Sequence, residues 1–166
     1  IYLLREAYDK FDCFGLLWSL GKDSKVMVWL AKKAFFGNVP FPLLFCDTGK
    51  KFPEMYEFQK KFTAEWDIKL IVEECPPIEE IDPTLPPASR SAARKTEALK
   101  RLIKKKNFQS VIAGIRRDEE GTRAKERVFS PRGTDAEWNF KQQPPEFWDQ
   151  YKTDFPAGTH IRVHPI

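Results

Sequence analysis

Phe14-Gly15-Leu16-Leu17-Trp18-Ser19-Leu20-Gly21-Lys22-Asp23-Ser24, continuing into Lys25-Val26-Met27-Val28-Trp29-Leu30-Ala31, holds the turn from which the rest of the chain can be ordered. An apolar, strand-like run gives way to a short loop of serine, glycine, lysine and aspartate. A helical pattern follows, with apolar residues at Val26, Val28, Trp29, Leu30 and Ala31. In an α/β protein such a junction makes an anion site. Unpaired amides and the positive end of the helix dipole meet at the loop, Lys22 adds a full charge, and Ser19 and Ser24 add hydroxyl donors. The expected ligand is the phosphate chain of a nucleotide, held by Ser19, Leu20, Gly21, Lys22, Asp23 and Ser24. The ordinary P-loop pattern does not fit, because it would need Gly at position 16 and a hydroxyl at 23, where Leu16 and Asp23 stand.

Outward from this junction, short apolar runs alternate with helical patterns. Phe14 to Trp18, Leu43 to Cys46, Lys69 to Val72, Val111 to Ala113 and His160 to Val163 read as strands; Lys25 to Phe36, Pro53 to Trp66 and Lys95 to Lys106 read as helices. Strands separated by helices form βαβ units, so the expected fold class is α/β. The sheet is expected to be Rossmann-like, mostly parallel and five-stranded, with helices on both faces. Continuously apolar strands fit a sheet covered on both sides. The proline-containing segments Glu73 to Arg94 and Ser130 to Gly158 read as long irregular loops.

Ligands bind such sheets at the carboxyl ends of the strands. Three polar clusters follow apolar runs directly: Ser19 to Ser24, Asp47-Thr48-Gly49-Lys50-Lys51, and Gly114-Ile115-Arg116-Arg117-Asp118-Glu119-Glu120. They are expected to converge on one edge.

Length and charge narrow the class. The 166 residues, 42% of them hydrophobic, suffice for one substantial core and argue against two full domains. A net charge of +4 is too small for a bulk nucleic-acid surface. The cluster Lys100, Arg101, Lys104, Lys105 and Lys106 lies on a helical pattern whose inner face is Leu99, Leu102 and Ile103, so it reads as a solvated helix surface. Cys13, Cys46 and Cys75 lack C-x-x-C spacing and nearby histidines, and read as buried thiols rather than a zinc site or disulfide framework. No apolar run of ~18 residues occurs and no secretory leader opens the chain, which favours a cytoplasmic protein without membrane contact. Opening at Ile1 rather than Met, the sequence is expected to be part of a longer chain.

The loop resembles the S-G-G-x-D-S loop of the N-type (PP-loop) ATP pyrophosphatases, with Leu20 in place of the first Gly. An aliphatic residue there is similar to the small subunits of heterodimeric bacterial sulfate adenylyltransferase. Asp47-Thr48-Gly49 with Phe52-Pro53-Glu54-Met55-Tyr56-Glu57-Phe58 resembles that family's D-T-G-x-x-F-x-E-M-Y-E-F, with Lys50 standing where the pattern has Trp. Lys95-Thr96-Glu97-Ala98-Leu99-Lys100 resembles K-T-E-x-L-K, and Gly114 to Arg127 resembles G-x-R-R-D-E-E-x-x-R-A-K-E-R. Ile161-Arg162-Val163 with Pro165 is similar to the family's I-R-V-x-P strand.

The resemblance implies an adenine nucleotide alpha hydrolase-like fold and a single PP-loop domain over residues 1–166, lacking the family's C-terminal portion. It implies ATP and sulfate as substrates, Mg²⁺, adenosine 5′-phosphosulfate and pyrophosphate as products, and a larger GTPase subunit as partner. Lys22, Arg116 and Arg117 are the expected catalytic residues. Ser19 to Ser24, Asp47, Thr48, Gly49, Gly114 and Arg123 are expected around the nucleotide. Asp118, Glu119, Glu120 and Glu126 are expected to orient the arginines through salt bridges, while Asp23 is the metal candidate and could equally hold the loop through backbone amides. Asp47 could instead cap a turn, and Thr96 a helix. His160 and His164 read as strand residues rather than a general base, since sulfate needs no deprotonation. A reductase of the same superfamily would need a C-terminal cysteine, and the last cysteine here is Cys75. A PP-loop sulfurtransferase acting on RNA or a metabolite, and a non-catalytic nucleotide-binding module, remain as alternatives.

Overall fold

A computed structural model describes residues 1–119, 121–133, 137–148 and 150–166. Helix α1 spans Tyr2–Lys10, strand β1 Phe14–Leu17, α2 Lys22–Ala34, β2 Leu43–Asp47, α3 Pro53–Glu65 and β3 Leu70–Glu74. Then come α4 at Pro87–Lys106, β4 at Ser110–Ile112, β5 at Phe129–Arg132 and β6 at His160–Val163, with short 3-10 turns at Ile78–Glu80, Gly121–Arg123 and Phe140–Gln142. The six strands form one sheet in the order β3-β2-β1-β4-β6-β5, parallel except where β5 runs against β6. All five expected strands form, and the sheet gains a sixth. The order reverses at β1, whose neighbours are β2 on one side and β4 on the other, and a crevice opens at such a switch point.

Strand alternation divides the core. Phe14, Leu16, Leu43, Phe45, Ile112, Ile161 and Val163 face the larger cluster with Leu4 and Ala7 of α1 and Met27, Val28 and Ala31 of α2. Leu44 and Val111 face the smaller cluster, packed on Leu99 and Leu102 of α4. Helices therefore cover both faces. The basic residues of α4 project from its outer side, where Arg101 pairs with Glu80 and Glu97, as expected of a solvated surface.

Three expectations need correction, and proline explains two of them. Helix α4 begins at Pro87, so the expected irregular segment 73–94 is helical in its last third. Pro87 sits in the first helical turn, where its missing N–H was unneeded and its fixed φ suits the helix. Thr96 thus lies in mid-helix, returning its hydroxyl to the Ala92 carbonyl at 3.2 Å rather than capping. Likewise Phe129-Ser130-Pro131-Arg132 is strand β5, within the segment read as irregular from Ser130. It pairs only with β6, and a proline is tolerated on an edge strand. Helix α1 lies ahead of every assigned segment; it buries Leu4 and Ala7, and Arg5 Nε donates to the Ala34 carbonyl at 2.9 Å.

Cys13, Cys46 and Cys75 are free thiols, Cys75 buried and the other two half-buried. Burial raises Cys46 to about 12, which keeps it protonated and unreactive. Among the described residues no helix is long and apolar enough to cross a membrane.

Gly15 marks the tightest crossing between strands. A Cβ there would lie 2.8 Å from Leu44 Cγ and 2.9 Å from both its methyls. Gly15→Val is expected to destabilise the fold by roughly 1–3 kcal/mol, the range for overpacking. Urea titration checks it; an unchanged midpoint would show that Leu44 yields freely.

Candidate functional site

The junction after β1 is pinned from both sides. Trp18 is fully buried, its ring 5.2 Å from Phe62 of α3, and its N–H extends the ladder to Leu44 O at 2.8 Å. Leu20 is also buried, while Ser19, Gly21 and Lys22 between and after them face solvent. Apolar anchors on alternate residues thus aim the polar groups outward.

Leu20 lies at φ 68, in the left-handed region. The glycine of the wider loop pattern adopts that conformation without strain, whereas leucine does so at a cost of about 1–2 kcal/mol. Burial offsets the cost, because fully burying a leucine side chain is worth about 1.5–3 kcal/mol. The next residue, Gly21, is the N-cap of α2 and carries no side chain to cover the first-turn amides. Ser24 closes the turn by donating to Gly21 O at 2.9 Å and lies 3.2 Å from Ser19 Oγ. Asp23 is half-buried in the first turn, where a carboxylate favours the helix dipole.

Across the switch point Gly114 follows β4. A Cβ on it would sit 3.1 Å from the Asp23 carbonyl carbon and 3.2 Å from Met27 Cγ. A side chain there would press on the Asp23 backbone, and the first and third polar clusters meet at the start of α2. The arginines just beyond are engaged elsewhere: Arg116 Nε lies 3.4 Å from Asp118, Arg117 pairs with Glu146, and Arg123 pairs with Glu119 at 2.6 Å. Arg116 and Arg117 line a depression of 380 Å³ with Asp118, Tyr151 and His164. Asp118 and Glu119 do pair with arginines as expected; Glu120 lies outside the described residues.

Glu126 departs from expectation. Its oxygens accept from Arg132 Nη2 at 2.7 Å and Ser130 Oγ at 2.9 Å, deep in the sheet face at β5. Arg117 pairs instead with Glu146, which was not among the expected acids and also accepts the Val128 N–H. Glu146 lies in the segment read as loop, with no sequence signal tying it to Arg117.

The second cluster turns on itself. Asp47 accepts from the Gly49 N–H at 2.9 Å and from the Tyr56 hydroxyl at 2.7 Å, a bond that raises the phenol above its ordinary value. The capping alternative for Asp47 is thus realised, and Gly49 at φ 68 needs no side chain. Arg94, unremarked in the sequence, is buried and donates from Nε to Pro76 O at 2.6 Å and from Nη2 to Thr48 O at 3.5 Å, tying the turn to α4. Beside it a pocket of 220 Å³ opens at the carboxyl ends of β1 and β2. Leu17, Leu44, Cys46 and Leu99 line it together with Ser19, Lys51, Lys95, Thr96 and Arg162. A larger depression, 590 Å³, lies at the amino ends of the strands around Phe14, Phe41 and Lys69, away from every helix N-terminus that follows a strand.

Fold and edge together define an α/β protein with a phosphate-loop junction at a topological switch point. The family described as the phosphoadenosine phosphosulfate reductase domain matches residues 14–166, and the chain belongs to that family. Over 170 residues it is 45% identical to a Zymomonas mobilis protein named sulfate adenylyltransferase subunit 2, a match that takes in 100% of this chain and 56% of that protein. The chain spans about half the length of the curated relatives it matches. Among solved structures it is similar to the phosphoadenylyl-sulfate reductase of Candida auris in a phosphate complex. The TM-score is 0.60 at 18% identity, covering 85% of this chain and 74% of that one. It is similar also to Candida glabrata FMN adenylyltransferase in complex with ATP, with a TM-score of 0.60 at 14% identity over 98% of this chain and 46% of that one. At such identities the likeness is one of fold.

Two outcomes follow from the site's packing. Leu20→Ala keeps the left-handed strain and loses the buried side chain, a loss of about 2–5 kcal/mol; Leu20→Gly loses the same contacts but relieves the strain. Glycine is therefore expected to be the milder change by roughly 1 kcal/mol, which chemical denaturation of both variants measures; a milder alanine would refute the strain. The second concerns His160, whose Nδ1 lies 3.2 Å from Phe108 O and which burial pulls down from 6.5 to about 4; burial lowers His164 as well. The unfolded chain takes up these protons near pH 6.5 and the folded one only near 4. Stability is thus whole above about pH 6.5 and declines as pH falls toward 4, by up to about 1.4 kcal/mol per unit for each histidine. Denaturation between pH 7 and 4.5 checks the slope, which His160→Gln should reduce.

Proposed function

We propose that this chain is the ATP-binding part of the small, catalytic subunit of a sulfate adenylyltransferase, a nucleotidyltransferase forming adenosine 5′-phosphosulfate and pyrophosphate from ATP and sulfate. The observation that carries the reading is the β1–α2 junction, with its uncapped helix start and Lys22, in a chain so similar to proteins named subunit 2 of that enzyme. Residues 1–166 are read as one PP-loop ATP pyrophosphatase domain of a cytoplasmic protein, and a larger GTPase subunit as its partner.

The β- and γ-phosphates rest on the amides at Gly21 to Ser24, with Ser19 and Ser24 hydroxyls and the Lys22 ammonium around them. Thr48, Gly49 and Gly114 shape the edge, and Asp47 acts by holding that turn rather than by touching nucleotide. A sulfate oxygen attacks the α-phosphorus; the new P–O bond forms as the bond to the pyrophosphate oxygen breaks and its electrons leave with pyrophosphate. Charge then builds on the equatorial oxygens and the leaving group. Arg116, Arg117 and Arg123 are the guanidinium donors for it. Asp23 suits Mg²⁺, which commonly takes one or two carboxylates with substrate phosphates. Among the described residues no three His, Cys, Asp or Glu gather into an all-protein cage. When bound, the ion would neutralise phosphate charge.

The test is sulfate-dependent release of pyrophosphate from ATP by the full-length chain with its partner. Lys22→Ala is expected to lower it roughly 10²–10³-fold, the scale of losing one transition-state donor. Release indifferent to sulfate would sink the reading and favour the sulfurtransferase alternative.

A further inference from the structure

The sheet has two edges, and they are not equally protected. On β5 the edge carries Pro131, which has no amide to offer. The other edge, β3, reads Leu70-Ile71-Val72-Glu73-Glu74, with neither proline nor glycine. Among the described residues it pairs with β2 alone, in unbroken register from Leu43 opposite Leu70 to Asp47 opposite Glu74. The Leu43 N–H donates to Lys69 O at 2.8 Å and the Cys75 N–H to Asp47 O at 2.7 Å. Lys69, Ile71, Glu73 and Cys75 thus turn their backbone groups to β2. By alternation Leu70, Val72 and Glu74 turn theirs outward, and such a row of amides and carbonyls is a template for another strand. Val72 is 48% exposed there.

The charges on β3 select what that strand can be. Lys69 stands before the apolar run and Glu73 after it, on the same sheet face as Ile71, the face that α4 covers. A two-fold axis normal to the sheet at Ile71 would run a second β3 antiparallel to the first. Ile71 then faces Ile71, and Leu70 of each copy forms a hydrogen-bonded pair with Val72 of the other. Lys69 of each copy faces Glu73 of the other in a non-hydrogen-bonded pair, where side chains lie closest. Every pair is complementary. Moving the axis one residue sets Leu70 against Glu74 and Ile71 against Glu73, or else Lys69 against Ile71. A parallel partner in register would set Lys69 against Lys69 and Glu73 against Glu73. Lys105 Nζ lies 3.4 Å from Glu73 and holds its carboxylate at the α4 side of the edge, where Lys69 of a second copy would arrive.

We propose that β3 is a self-pairing edge, through which two copies of this chain join antiparallel about Ile71 into one continuous sheet. Val72 is then covered by Leu70 of the second copy. Because the two β3 strands run in opposite directions, the two phosphate-loop edges face opposite ways and neither is blocked. The contact is one strand wide, so a weak, reversible dimer with a micromolar dissociation constant is expected.

The experiment is sedimentation equilibrium of the full-length chain, with backbone hydrogen exchange on the same samples. The wild type is expected to form a dimer in which the Leu70 and Val72 amides are protected. Lys69→Glu turns both cross-strand attractions into repulsions and is expected to raise the dissociation constant about ten- to a hundred-fold. Adding Glu73→Lys to it restores opposite charges and should recover the dimer. Val72→Pro removes an outward amide that β2 does not use, so it should keep the fold, checked by circular dichroism, and abolish pairing; it decides the matter if the charge swap does not fold. A wild type that stays monomeric up to about 100 µM overturns the proposal. So does a dimer indifferent to either Lys69→Glu or Val72→Pro, and so does a folded charge swap that fails to recover it. Leu70 and Val72 amides protected in a monomer overturn it as well, because another part of the chain would then cover the edge.

Discussion

A leucine held in a left-handed turn by its own burial fixes the geometry on which everything at this edge depends. Leu20 at φ 68 turns the chain sharply enough for Gly21 to begin α2, and its side chain anchors the turn in the core between sheet and helix. Strain of about 1–2 kcal/mol is smaller than the burial that opposes it, so packing holds the turn in this conformation. The rest follows from that aim. Because the helix starts where it does, Gly114 passes close to the Asp23 backbone, and the chain after β4 is brought to the same point.

The parts of the fold legible in the sequence were those whose physics is local. Buried parallel strands are continuously apolar, so five of six could be found, and the loop after the first could be read as the start of a helix. Proline misled twice, since its effect depends on position: at Pro87 it opens a helix, and at Pro131 it sits on an edge where no partner needs its amide. The site was legible in its clusters but not in its pairings. Asp118 and Glu119 found arginines close in sequence, whereas Glu126 and Glu146 were decided by which face of β5 and which distant loop came near. Nothing local could separate those outcomes. Arg162 was hidden for the same reason, because an arginine between Ile161 and Val163 reads as the exposed side of a strand until the register places it under α4.

Burial also sorts the arginines by what they are free to do. Arg132 is 4% exposed and its pair with Glu126 is closed off from water, so breaking it would strand a buried charge at a cost of several kcal/mol. Arg116 and Arg123 are 41% and 35% exposed and their acidic partners 77% and 41%, and pairs of that kind are worth about 0–1 kcal/mol. In the proposed reaction, exchanging such partners for a phosphate chain would cost little. For Arg117 the exchange is harder, because Glu146 is only 13% exposed and keeps just the Val128 N–H when the guanidinium leaves.

The same distinction explains why the polar half of the sheet face can exist at all. An apolar replacement of similar volume for Arg162, Arg132 and Glu126 would remove the desolvation cost of three charges, and such replacements are often neutral or stabilising. Stability alone therefore does not account for this layer. Arg132 meets Glu126 through Nη2, while its Nε and that of the partly buried Arg162 have no partner among the described residues. What the layer supplies is a fixed junction: Glu126 accepts from both Arg132 Nη2 and Ser130 Oγ, so a single carboxylate ahead of β5 ties that edge strand to the chain entering it.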